Sequence, residues 1–70
     1  MNDFREKIGA ELKALRLDKK ITTRQLAELT GLGQSHIVRL ESGRYGATVD
    51  IISRIAEPLG AELRIVKKEE

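Results

Sequence analysis

Seventy residues allow one domain, with a core near the lower size limit for independent stability. The absence of cysteine removes disulfides and thiolate metal sites as reinforcement, and small domains without such staples often gain stability by oligomerising. With 13 Lys or Arg against 11 Asp or Glu, no apolar run of membrane-spanning length and no secretory h-region, a soluble, cytoplasmic chain without a membrane partner is expected.

Phe4, Ile8, Leu12 and Leu15 recur at i, i+4, i+8 and i+11, one face of an amphipathic helix from about Asp3 to Asp18. Lys19 and Lys20 suit its negative C-terminal end. Next, Thr22-Thr23-Arg24-Gln25 reads as a capping box: Thr22 caps a second helix and Gln25 reaches back. Leu26 and Leu29 carry its apolar repeat, and Gly31 follows where a residue with positive φ is needed. Gly33 and Gln34 open a third helix with Ile37 and Leu40 on its apolar side, ending at Gly43 in the same manner. The loop Arg44-Tyr45-Gly46-Ala47 leads to Thr48, the cap of a fourth helix with Ile51, Ile52 and Ile55 inward. Pro58 removes the hydrogen bond to the Arg54 carbonyl and disfavours helix at Glu57, so that helix should kink or stop there. Finally the period changes. Leu63 and Ile65 alternate with Glu62, Arg64 and Val66, the signature of a strand.

The interruption at Gly31-Leu32-Gly33 separates two short helices and makes a helix-turn-helix unit. Ala27 is small where two helices cross closely, with Ile37 ten positions on to meet it, and Leu32 plugs the core beneath the turn. On the third helix, Ile37 and Leu40 point one way. Ser35, Val38, Arg39 and Ser42 point the other, with Gln34 and His36 on the flanks. That outer face offers the donors and acceptors of a base-reading surface. Residues 13–54 also hold eight basic side chains (Lys13, Arg16, Lys19, Lys20, Arg24, Arg39, Arg44, Arg54) against four acidic ones. A basic middle suits a polyanion, although the same charges would serve as a solvated surface, and a net charge of +2 does not decide between them.

Other chemistries find no footing. His36 is the only histidine and there is no cysteine, so a zinc site is excluded. Ser35 and His36 are adjacent on a helix, so their side chains diverge and cannot pair as nucleophile and base. Gly31-Leu32-Gly33 lacks a third glycine and follows a helix, so it is no nucleotide fingerprint. No catalytic residue, metal ligand or cofactor is expected.

The stretch TTRQLAELTGLGQSHIVRLESGR resembles the helix-turn-helix of the Cro and cI-type repressors, the Xre-like transcriptional regulators. The resemblance spans roughly residues 5–60 and rests on Ala27, Gly31, Ile37, Leu40 and the Leu40-Glu41-Ser42-Gly43 ending. It implies a mainly α fold, a four-helix lambda-repressor-like DNA-binding domain. It also joins Arg16 and Glu41, which local reading leaves unrelated, in an ion pair tying the first helix to the third. By the same likeness Gln34, Ser35 and Arg39 read bases in the major groove. Thr23, Arg24, Ser42, Gly43 and Arg44 fall at phosphate-contacting positions, and His36 reads equally as a phosphate contact or as idle surface. Two departures stand out. Gly33 is often polar in relatives, and Val38 on the outer face is either a thymine-methyl contact or simply an exposed valine.

A lone strand leaves its N–H and C=O groups unpaired, and the same strand from a second copy, antiparallel across a two-fold axis, would satisfy them. This divides the chain into a DNA-binding domain, residues 1–60, and a dimerising strand with a charged tail, residues 61–70, with Leu63 and Ile65 at the dimer interface. A C-terminal strand after AEPLGAEL is also similar to the HipB-like antitoxins, whose dimers share a small sheet. The expectation is a homodimeric, sequence-specific repressor of a palindromic double-stranded DNA operator. Its rival is an antitoxin with a toxin protein as partner, which also regulates its own operon.

Overall fold

The structure, a computed structural model of the chain, describes residues 4–44 and 46–69. The expected helix start at Asp3, Tyr45 of the long loop and the final Glu70 lie outside the described residues. Four helices follow in order: α1 (Phe4–Asp18), α2 (Thr23–Thr30), α3 (Gln34–Glu41) and α4 (Val49–Ala56), then a 3₁₀ turn, Glu57–Leu59. α3 packs against both α1 and α2, α4 packs against α2, and the 3₁₀ turn closes against α1 and α2. Leu26, Ile37 and Ile55 are fully buried at the centre, joined by Leu12, Ala27, Leu40, Ile52, Ala56 and Leu59. Each of these leucine and isoleucine side chains stabilises the fold by about 1.5–3 kcal/mol relative to exposure.

The helix ends follow from their residues. Thr22 Oγ1 accepts the Gln25 N–H at 3.0 Å while Gln25 Oε1 accepts the Thr22 N–H at 2.8 Å, completing the capping box. Thr48 Oγ1 accepts the Ile51 N–H at 3.2 Å and opens α4. α4 ends at Ala56, and Pro58 sits at the start of the 3₁₀ turn, where a residue without an N–H is tolerated because the helix has already ended. α1 ends differently from the others. Its closing left-handed residue is Lys20, φ 60°, with the Lys20 N–H on the Leu17 carbonyl and the Ile21 N–H on the Arg16 carbonyl. A side chain in that conformation costs about 1 kcal/mol that glycine would not.

Three expectations are corrected. Leu29 does not share the buried face of α2, being 63% exposed. That face is Leu26, Ala27 and Thr30, and at about 100° per residue Leu29 lies about 60° beyond Leu26 on the far side from Ala27. Phe4 is 67% exposed: the buried face of α1 is Gly9, Leu12 and Arg16, and its first turn approaches Gly43 and Gly46 through Glu6 and Arg5. The expected C-terminal strand is absent: residues 61–69 have no regular secondary structure, and there is no strand among the described residues. Alternating side chains state which way residues would point within a ladder. They do not supply the neighbouring backbone that a ladder requires. Leu63 retains some cover beside Leu12, Leu15, Ile52 and Ala56, whereas Ile65 and Val66 stand in solvent and cover no helix face.

Candidate nucleic-acid interface

The turn between α2 and α3 is fixed by its own polar groups. Thr30, buried in the last turn of α2, donates its hydroxyl to the Leu26 carbonyl at 2.9 Å and accepts the Leu32 N–H at 3.3 Å. Gly31 is left-handed, φ 77°, and its N–H closes on the Ala27 carbonyl at 2.8 Å. Gly33 is extended, and its carbonyl receives the His36 and Ile37 N–H groups that begin α3. Leu32 is half-buried against the core. Thr30 was not legible as a turn residue, although a threonine directly before a helix-ending glycine can back-bond to the preceding turn.

The other end of α3 is held by a buried fork. Arg16 donates from Nε to Glu41 Oε2 at 2.6 Å, from Nη2 to Glu41 Oε1 at 3.0 Å, and from Nη1 to the Ile21 carbonyl at 2.8 Å. Their side chains are only 9% and 7% exposed. One guanidinium thereby joins the end of α1, the loop before α2 and the end of α3, in the bidentate geometry that gives the strongest ion pairs. Gly9 makes the same junction possible at the backbone: a Cβ there would collide with the Leu40 carbonyl oxygen and lie 2.9 Å from that of Glu41. No pattern in the first helix marked Gly9 for this role, since apolar periodicity is silent about close backbone approach.

With both ends fixed, the outer face of α3 takes its shape. Gln34, Ser35, Val38, Arg39 and Ser42 are exposed, and His36 is half-buried. Gln34 Nε2 donates to Thr23 Oγ1 at 2.9 Å, joining an expected base-reading side chain to an expected phosphate contact. Thr23 and Ser42 line one cleft of about 270 Å³ together with Lys13, Arg16, Val38 and Glu41. Ser42 donates its hydroxyl to the Arg39 carbonyl at 2.9 Å. Gly43, φ 78°, gives its N–H to Leu40, and a Cβ there would lie 2.8 Å from Glu6 Cα. What Gly43 contributes is the turn itself, because its one donor is already used. Arg24 and Arg44 are exposed. Arg16 is neutralised by Glu41, so the positive charge offered at the cleft comes from Lys13, whose position three residues before Arg16 on one helix could have signalled it.

No described helix is long and apolar enough to cross a membrane. Residues 7–65 match the family model described as "Helix-turn-helix domain". The chain is 32% identical over 63 residues to the immunity repressor protein of Bacillus phage phi105, covering 90% of this chain and 44% of that one. It is 38% identical over 55 residues to the HTH-type transcriptional repressor RghR of Bacillus subtilis, covering 77% of this chain and 41% of that one. It thus spans less than half the length of both repressors. Among solved structures, the clp gene regulator ClgR from Corynebacterium glutamicum superposes with a TM-score of 0.81 at 34% identity, over 84% of this chain and 76% of that one.

Proposed function

The chain belongs to the Xre-type helix-turn-helix transcriptional regulators, and from that membership we propose that it is a sequence-specific repressor that binds double-stranded DNA through α3. The observation that carries this reading is the fixed outer face of α3: a polar surface anchored by Arg16–Glu41 at one end and by Gln34–Thr23 at the other. Gln34 keeps enough valence for the task. Its Nε2 has two hydrogens, one directed to Thr23, leaving the second and the amide oxygen for the N7 and N6 of an adenine. Arg39 supplies the fork that fits guanine O6 and N7, and Ser35 a hydroxyl to the edge of a neighbouring base. Thr23, Arg24, Ser42 and Arg44 hold the phosphates on both sides of the groove, with Gly43 shaping the turn and His36 at the margin.

The reading includes a homodimer on a palindromic operator, which would present two copies of α3 one DNA turn apart. Leu63 and Ile65 are the proposed seam, supported by apolar side chains that the single chain leaves exposed. The antitoxin alternative drew on a C-terminal strand, and with residues 61–69 irregular no specific observation favours it. Selection of bound sequences from random DNA with the purified chain tests the proposal. Enrichment of an inverted repeat with adenine and guanine at fixed positions is expected. Binding that retains every sequence equally would refute it.

A further inference from the structure

The polar outer face of α3 has one apolar member. Val38 is 48% exposed, one turn beyond Gln34 and one turn before Ser42. Its neighbours around the cleft are polar or charged: Lys13, Thr23, Ser42 and the Arg16–Glu41 pair. The fold gains little from it. The core side of α3 is Ile37 and Leu40, and at a solvated helical position valine is a poorer helix former than alanine, lysine or glutamate. Its carbonyl accepts the Ser42 N–H, a bond that any residue would supply. An apolar surface on a contact face is useful only against something apolar in the partner. In the major groove, the apolar group that base pairs present is the C5-methyl of thymine.

Resting on the DNA-binding reading above, we propose that Val38 recognises a thymine C5-methyl group and is a specificity-determining residue of α3. The register follows from helix geometry. One helical turn separates Val38 from Gln34, about 5.4 Å, against a spacing of about 3.4 Å between base pairs. The methyl therefore belongs to a thymine one or two base pairs from the adenine that Gln34 reads. Covering one methyl corresponds to about fourfold in affinity, the equivalent of about 0.8 kcal/mol.

The experiment uses the full chain and the operator obtained by selection. Each thymine is replaced in turn by deoxyuridine, which deletes the methyl and leaves the hydrogen-bonding edge intact, and affinity is read by fluorescence anisotropy. One thymine per half-site should lose about fourfold with the wild type. Val38→Ser, at an exposed position, should fold normally by circular dichroism and bind the thymine and deoxyuridine operators equally, since serine presents a hydroxyl in place of the valine methyls. The proposal is overturned if no thymine shows methyl dependence, or if the dependence survives in Val38→Ser. A chain that selects no DNA sequence would overturn the DNA-binding reading itself and this inference with it.

Discussion

Replacing Arg16 and Glu41 by methionine, singly and together, tests whether the fork is a structural tie rather than a DNA contact. At about 0.1 kcal/mol per residue, a chain of 70 residues has a stability of about 7 kcal/mol. Arg16→Met leaves a carboxylate without its partner at a site where its side chain is 7% exposed, and it strips the Ile21 carbonyl of a donor. Glu41→Met leaves a guanidinium with one neutral acceptor in place of two charged ones. Breaking a buried pair from one side costs about 3–5 kcal/mol, so each single variant should keep only about 2–4 kcal/mol of the starting stability. The double variant loses both hydrogen-bonded charges but also both desolvation penalties, and should be no less stable than either single one. That pattern corresponds to a coupling energy of about 3 kcal/mol or more, read as midpoints of urea unfolding with unchanged slopes. Where the double variant is folded, it should also keep its preferred DNA sequence. Costs that add to within about 0.5 kcal/mol would refute the reasoning, since they would mean that the two side chains do not share an energy term.

Further outcomes follow from the same geometry. Arg39→Ala should lose about 1–3 kcal/mol on the selected operator and relax the choice at one base position, whereas Arg44→Ala should weaken all sequences alike and flatten the salt dependence by about one unit. Base-by-base titrations at several salt concentrations separate the two. Lys20→Gly should raise stability by about 1 kcal/mol, because it relieves the left-handed backbone at the end of α1; thermal unfolding reads this. If the proposed dimer seam holds, Ile65→Asp should leave the monomer fold intact, as Ile65 stands in solvent, while lowering the mass seen by light scattering and the affinity for a two-half-site operator.

The legible parts of the molecule were those decided within a few residues. The Thr22–Gln25 box, the Thr48 cap, the left-handed glycines at 31 and 43 and the stop before Pro58 are local contests between a backbone group and a nearby side chain. They came out as the residues dictate. Arg16 and Glu41 lie 25 positions apart, and only the family resemblance joined them. Gly9 and Thr30 escaped notice because Gly9 acts by how close another backbone comes, and Thr30 by back-bonding its hydroxyl to its own helix, and hydrophobic periodicity encodes neither. Leu29 and Phe4 show the opposite error, in which an apolar residue in step with its neighbours was assumed to have something to pack against. For residues 61–69 the period was present and the second backbone was not.

The contact at Gly9 makes α1 a lever on sequence selectivity. α3 is eight residues long, about 12 Å at the helical rise, and its last carbonyls rest directly on the backbone of α1. Pushing that end outward by about 1 Å, as an added methyl at Gly9 would, pivots the rod by about 5°. The tolerance of a good hydrogen bond is only about half an ångström, so a tilt of that size would spoil a bidentate contact by Arg39, which lies near the displaced end. Under the proposed reading, changes buried on the far side of the domain could retune which DNA sequences are preferred while every base-facing side chain stayed the same.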